Sequence, residues 1–241
     1  MGYQLAIFDF DGTLADTFSW FIRQVDGVAD RFGLQRVDLD ELEQMRGLSA
    51  RQLIERLGIP AWKIPLIARH VRKLARSEDN QINLFAGIEQ VLACLADRGV
   101  RLAIVSSNAE QVVRRALGTS ATSHVDLFAC GASLFGKSGM FRKVLRRIHV
   151  PHEETICIGD EIRDAEAARA AGLAFGAVSW GFNHPDVLKA LKPEAFFSCV
   201  EDIPQVIAPS PRLRPALGPT RGESMAALLG APLQRRSRSA V

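Results

Sequence analysis

The run Tyr3-Gln4-Leu5-Ala6-Ile7-Phe8-Asp9-Phe10-Asp11-Gly12-Thr13-Leu14 decides how the rest of the chain is read. Residues 3–9 are short and apolar and end on carboxylates and a glycine, which suits a strand buried on both faces of a parallel sheet. Asp9 and Asp11 stand where that strand ends. Both can point into the crevice, because the chain is leaving the pleat and Gly12 permits the turn. Close carboxylates repel, and they are tolerated where a divalent cation bridges them or where one holds a proton. Either case suits catalysis, with one ionised Asp as nucleophile and the other as general acid and base. The bland alternative is a polar strand end with an Asp-Gly turn.

Similar apolar runs recur at 101–106, 125–130, 155–159, 174–178 and 195–199, with helical patterns such as Ile88 to Asp97 between most of them. That alternation predicts an α/β fold, a doubly wound parallel sheet. One interval breaks the rhythm. Between Ala15 and Asn83 no convincing strand is found, whereas Phe18, Phe21, Ile22, Val25, Ala29 and Phe32 form one apolar helical stripe and Ile64, Ile67, Val71 and Leu74 another. An all-helical block inserted after the first strand reads as a lid on the side where parallel strands end and ligands bind. The expected domains are therefore a core of residues 1–14 and 84–208 and a helical cap of residues 15–83. From about Pro209 five prolines and six arginines, faced by Glu223 alone, mark residues 209–241 as a mostly disordered tail, with a turn or two of helix open to Ser224 to Leu229.

With 241 residues, 47% hydrophobic and 24% charged, the chain has the make-up of a globular protein holding one large or two small cores. Its formal +3 would suit an anionic partner such as nucleic acid, but the tail accounts for +5 and residues 1–208 carry a net −2. The four cysteines lie far apart with no metal-ligand spacing, and read as small buried hydrophobes in a reducing cytosol. No membrane span and no secretory or acylation signal is read, so a cytoplasmic protein is expected.

Three further stations carry chemistry. Gly159-Asp160-Glu161-Ile162-Arg163-Asp164 closes another buried strand and opens a helix; Asp160 and Asp164 are close enough to serve one hard cation, though acids also favour helix N-termini for capping alone. Ser106-Ser107-Asn108 follows a strand and precedes a helix, where a hydroxyl and free N–H groups make a phosphate cradle, or an ordinary cap. Lys137 precedes the helix Met140 to Ile148, where its charge would neutralise phosphoryl oxygens and hold the acidic pair, or simply be solvated.

Taken in order at successive strand ends, these stations resemble the haloacid dehalogenase superfamily, and within it the cap-bearing phosphatases similar to phosphoglycolate phosphatase. The resemblance covers roughly residues 3–200 and is most specific in DxDGT and GDExxxD. It implies Asp9 as nucleophile, Asp11 as general acid/base, Ser106 as phosphate-binding hydroxyl and Lys137 as charge neutraliser. It also implies Mg²⁺ held by Asp9, Asp160 and the backbone carbonyl of Asp11, with Asp164 a ligand or the partner of one. Gly12, Thr13, Ser107 and Asn108 complete the phosphate site, and Arg46 and Gly47, in Arg46-Gly47-Leu48-Ser49, are similar to the family's substrate-facing cap loop. Val178-Ser179-Trp180-Gly181-Phe182 resembles the loop those phosphatases carry after the fifth strand. Ser138 stands where the family usually has Pro, which leaves Lys143 open as a substitute for Lys137.

The activity implied is Mg²⁺-dependent hydrolysis of a small phosphorylated metabolite through an aspartyl phosphate, phosphoglycolate first, with no nucleic-acid or membrane partner. Asp11 argues against a true dehalogenase, which needs no acid for a leaving alkoxide; a mutase or phosphonatase variant stays open. A rival comes from Gly131 to Ser138, which fits the G-x-x-x-x-G-K-[ST] phosphate loop of nucleotide triphosphatases but leaves Asp9 to Thr13 without a purpose. A binding-protein reading rests on the basic stripe Arg69, Arg72, Lys73 and Arg76, which usually marks a solvated helix face.

Overall fold

A computed structural model describes residues 2–77, 82–131 and 136–208. Six strands, β1 (Leu5–Phe8), β2 (Arg101–Ser106), β3 (Leu127–Cys130), β4 (Thr155–Gly159), β5 (Ala174–Val178) and β6 (Ala195–Phe197), each fall on one of the apolar runs. They form one sheet in the order β3-β2-β1-β4-β5-β6, and every neighbouring pair is parallel. β1 is central. It pairs with β2 from Leu5–Arg101 to Phe8–Ile104 and with β4 from Leu5–Thr155 to Phe8–Ile158. The chain winds out through β2 and β3 on one side of β1 and returns to begin β4 on the other, so the crevice where ligands bind in such sheets opens at the end of β1.

Alternate strand residues serve the two faces, as the pleat requires. Ala6, Phe8, Ile104 and Ile158 pack with Leu92 and Leu95 of α5 (Ile88–Asp97), Val113 and Leu117 of α6 (Glu110–Ser123), and Ile203 and Ile207 of α10 (Asp202–Ile207). Leu5, Ile7, Val105 and Cys157 pack with Phe141 and Val144 of α7 (Lys137–Ile148), Ala165 and Ala168 of α8 (Ile162–Ala171), and Leu188 of α9 (Pro185–Ala190). α6 runs past the expected Leu117 because the chain kinks at Gly118 (φ 70°, ψ 177°) and turns on to Ser123. α7 starts three residues before the expected Met140, at Lys137, which is thereby buried.

Four helices, α1 (Thr17–Phe32), α2 (Leu39–Met45), α3 (Ala50–Arg56) and α4 (Ile64–Arg76), fill the interval between β1 and α5, with no strand among the described residues there. Local sequence sets their ends. Asp16 accepts from Ser19 N at 3.0 Å to start α1, Gly33 in the left-handed region (φ 59°) ends it, and Ser49 and Gln52 form a reciprocal capping box on α3. The chain enters and leaves this block side by side: Ala15 bridges Leu84 antiparallel, and Asp16 N donates to Asn83 O at 2.9 Å.

The block is also tied to the loops of the sheet through Arg46. Arg46, between α2 and α3, donates from Nε to Phe182 O (2.8 Å) and from a terminal nitrogen to Gly181 O (3.0 Å). In return Arg46 O accepts from the His184 amide at 3.1 Å and from Asn183 Nδ2 at 2.7 Å. Among the described residues no helix is long and apolar enough to cross a membrane. Cys157 is buried, Cys94 and Cys130 are half-buried, and Cys199 is exposed, against the expectation that all four are core residues. The expected tail, 209–241, lies outside the described residues. Besides its ion pair with Glu43, Arg46→Ala removes the two charge-assisted bonds to the loop, about 1.5–3 kcal/mol each before relaxation. Hydrogen exchange at the His184 amide is expected to speed by about tenfold or more, with the β1 amides unchanged; protection equal to the parent's at His184 would show that Arg46 does not hold the block down.

Candidate active site

β1 delivers Asp9 to the crevice with its backbone still paired, Asp9 N donating to Ile158 O at 2.9 Å, while its Oδ1 accepts from Phe10 N at 2.8 Å. The chain then turns back on itself: Gly12 N reaches Ala15 O at 2.9 Å, and Gly12 adopts φ +70°. A side chain on Gly12 would also meet Asp160, since a Cβ there would lie 2.1 Å from Asp160 Oδ2. The glycine is therefore required twice, for backbone sign and for room.

Asp9, Asp160 and Asp164 are all buried and come together, one carboxylate oxygen from each lying within 4.8 Å of the others. Lys137 Nζ stands among them, 2.6 Å from Asp9 Oδ2 and 2.5 Å from Asp164 Oδ1. Thr13 Oγ1 donates to Asp160 Oδ1 at 2.7 Å and Phe182 N to Asp160 Oδ2 at 2.7 Å. Glu161 N donates to Asp164 Oδ2 at 3.1 Å. Asp11 stands beside the cluster: Asn108 Nδ2 donates to both its oxygens at 2.8 and 3.0 Å, and Ser106 Oγ to Oδ2 at 3.3 Å. Arg163 ion-pairs with Glu161 and completes the charged wall.

The electrostatics follow from burial. Loss of water pushes the Asp9 carboxyl up to about 7, with Lys137 pulling it down and Asp164 and Asp11 adding to the rise. Asp160 is driven well above the usual carboxylate range by burial and then by Glu161, Asp164 and Asp9. Asp11 is raised by burial too, against the opposing pull of Arg163, Lys137, Asn108 and Ser106. Burial works to lower the Lys137 amine, but Asp164 and Asp9 outweigh it and leave its pKa raised, so it is a fixed cation. Five carboxylates thus face two cations among the described residues, Lys137 and Arg163. That imbalance, with buried oxygen donors already converged, fits a hard divalent cation.

The sequence-derived set divides plainly. Asp9, Asp11, Gly12, Thr13, Ser106, Asn108, Lys137, Asp160 and Asp164 meet at the ends of β1, β2 and β4, and Ser107 lines the cavity beside them. Both side-chain oxygens of Asp11 are held by Asn108 and Ser106, and among the described residues the group of carboxylates close enough for one metal is Asp9, Asp160 and Asp164, without Asp11. Lys143 is exposed on α7, so position 137 supplies the amine despite the serine that follows it. Lys137 is committed to Asp9 and Asp164, which removes the lysine the nucleotide-loop reading needs; residues 132–135 of that motif lie outside the described residues. Arg46 and Gly47 are not brought to the carboxylates. Arg46 departs from the expected substrate-facing role because its guanidinium is taken up by Gly181 O, Phe182 O and Glu43. Arg69, Lys73 and Arg76 of the basic stripe are exposed, and only Arg72 turns toward the cavity.

Sequence reasoning missed Arg163, and it matched the loop after β5 by resemblance alone, without a role for its residues. Gly181 has room for no side chain, since a Cβ would lie 2.1 Å from Asp160 Cβ. Trp180 Nε1 donates to Thr13 O at 3.1 Å. The signals were a lone cation amid the acids of Gly159 to Asp164, and a glycine between two aromatics.

Two stability outcomes follow. In the metal-free protein, Asp9 holds a proton in the folded state that the unfolded chain has lost between about pH 4 and 7, so its contribution to stability falls as pH rises through that window. Asp9→Asn is expected to raise the melting temperature at pH 8, by about 2–4 °C per kcal/mol recovered, and to leave it little changed at pH 4; an equal shift at both pH values would refute the assignment. Gly181→Ala is expected to destabilise by about 1–3 kcal/mol through overpacking on Asp160, read by thermal melting, and a neutral effect would mean the loop yields freely.

The model of the family described as haloacid dehalogenase-like hydrolase matches residues 6–178. The phosphoglycolate phosphatase of Synechococcus elongatus is 30% identical over 205 residues, 85% of this chain and 97% of that protein. A 5′-nucleotidase of Pseudomonas aeruginosa is 27% identical over 211 residues, 85% of this chain and 96% of that protein. Among solved structures, a haloacid dehalogenase-like family hydrolase from Streptococcus pneumoniae superposes with a TM-score of 0.69 at 19% identity, covering 83% of this chain and 96% of its own. The strand order, the convergent acids and these similarities agree, and the chain belongs to the haloacid dehalogenase-like hydrolases.

Proposed function

We propose that the protein is a Mg²⁺-dependent phosphomonoester hydrolase that works through an aspartyl phosphate. The observation that carries this reading is the position of Asp9: at the end of the central strand, buried, 2.6 Å from the Lys137 amine and within 4.8 Å of two further carboxylates. Asp9 attacks phosphorus, forming the Asp9 O–P bond as the P–O bond to the organic group breaks. Asp11, whose carboxyl burial favours in the protonated form, gives its proton to the departing alkoxide. Asp11 then takes a proton from water, the water oxygen bonds to phosphorus, and inorganic phosphate leaves as Asp9 is freed. Asn108 and Ser106 hold Asp11 on line for both transfers, and Lys137 orients Asp9 and favours its charged form against the effect of burial.

Asp9, Asp160 and the main-chain carbonyl of Asp11 would hold Mg²⁺, with Asp164 beside them; when bound, the ion offsets the charge of the nucleophile and of the phosphoryl group. The helical block of residues 15–83 serves as the lid. Kinship puts phosphoglycolate first among small phosphorylated metabolites, with a nucleoside monophosphate second, since the relatives carry those two activities in their names. Asp9→Asn is expected to lower Mg²⁺-dependent phosphate release by about 10³-fold or more, and turnover near the parent's would remove Asp9 from the role. Asp11→Asn is expected to cost about 10²–10⁴-fold on alkyl esters but far less on p-nitrophenyl phosphate, whose leaving group needs no proton; an equal loss on both would take the acid role from Asp11.

A further inference from the structure

A cavity of about 390 Å³ joins the acid cluster to the helical block. Its floor is polar, formed by Asp11, Ser107, Asn108, Asp160, Glu161 and Arg163. Its walls are not. Of the fourteen residues contributed by positions 17–75, twelve are apolar, and only Thr17 and Arg72 carry polar side chains. Phe21, Leu53, Ile54, Ile59, Ile64 and Ile67 line it, and each is left partly exposed. The stripes that would bury against one another in a self-contained helical bundle therefore turn part of their surface to the space above the carboxylates. Water is poorly suited to fill that space, since an ordered molecule needs two to four polar partners and these walls supply almost none.

We infer that the substrate's organic part is uncharged and apolar, an alkyl or aryl group of about six carbons, seated against α1, α3 and α4 while its phosphate meets the floor. The inference rests on the phosphatase reading and replaces phosphoglycolate as the preferred ester. A glycolate group is too short to fill such a chamber, and its carboxylate would lose its hydration against aliphatic walls. Among the described residues of those walls the cation is Arg72, and its Nε is turned back onto Ala68 O of its own helix at 3.0 Å. Burying a carboxylate without a dedicated partner is unfavourable, whereas each methylene placed against the isoleucines is removed from water.

The test is a Mg²⁺-saturated series of ethyl, butyl and hexyl phosphate, with phenyl phosphate and phosphoglycolate alongside. Transfer of a methylene from water corresponds to about a fourfold gain in kcat/KM, so hexyl phosphate is expected to exceed ethyl phosphate on the order of 10²-fold. Phenyl phosphate is expected near the top and phosphoglycolate no better than the ethyl ester. Ile67→Asp is expected to lower the hexyl-to-ethyl ratio by about tenfold or more. Ile54→Trp fills the chamber without polarity, and is expected to move the optimum to a shorter chain. A flat series, or a preference for phosphoglycolate, overturns this inference while leaving the phosphatase reading intact. Release from none of the esters overturns the phosphatase reading and this inference with it.

Discussion

Too much negative charge in too little space is the condition to which the rest of this structure answers. Asp9, Asp160 and Asp164 converge within 4.8 Å, with Asp11 and Glu161 close by, and the Lys137 amine is placed between two of them. Every contact made with these acids is accordingly a donor: Thr13 Oγ1 and Phe182 N on Asp160, Phe10 N on Asp9, Glu161 N on Asp164, and Asn108 and Ser106 on Asp11. At three places glycine gives the backbone room beside these acids. Gly159 lies so near Asp164 that a Cβ would come within 2.5 Å of its carboxylate, and Gly12 and Gly181 leave the corresponding room at Asp160. A buried ion pair is weak evidence for stability, because desolvation opposes attraction. The cluster is better understood as stored electrostatic cost, which a divalent cation would relieve.

What was legible in the sequence was whatever a short run could state by itself. The six strands and their parallel burial showed as apolar runs, because a strand covered by helices on both faces needs no polar alternation. The acids showed because they close those runs: Asp9 ends β1, and Asp160 directly follows β4. Lys137 was harder, since serine follows it and Lys143 lay nearby; what separates them is burial, and burial depends on α7 starting at 137 rather than 140. The role of Arg46 was not legible at all. A cation in a loop between two helices suits a substrate as well as it suits two carbonyls 135 and 136 residues away, and only the fold decides between them. Arg163 escaped notice for a similar reason, being one base in an acidic run whose partners are set by helix α8.

The same limit applies to the helical block. Its apolar stripes announced helices, yet periodicity cannot say whether a stripe meets another stripe or a cavity. In the structure Val28 and Ala29 of α1 are buried and take no part in the chamber's lining, whereas Phe18, Trp20 and Phe21 line it, Phe18 and Phe21 left half-exposed. The division runs along one helix: one part of its apolar stripe holds the block together and another walls the chamber.

Residues 181–183 join these two demands in one loop. On one side the Phe182 amide binds the Asp160 carboxylate and Asn183 N binds Asp160 O at 3.2 Å. On the other side Gly181 O and Phe182 O receive Arg46, and Asn183 Nδ2 donates to Arg46 O and Leu48 O. Asn183 is itself fixed from the core, its Oδ1 accepting from Ile162 N at 2.9 Å at the start of α8. A displacement of the block large enough to break the Arg46 contacts must therefore pull on the loop that solvates Asp160. Conversely, any ligand that changes the charge around Asp160 acts on the same three residues. A direct hydrogen-bonded connection of this kind needs no long pathway, and it makes the position of the block and the order of the acid cluster depend on one common structural element.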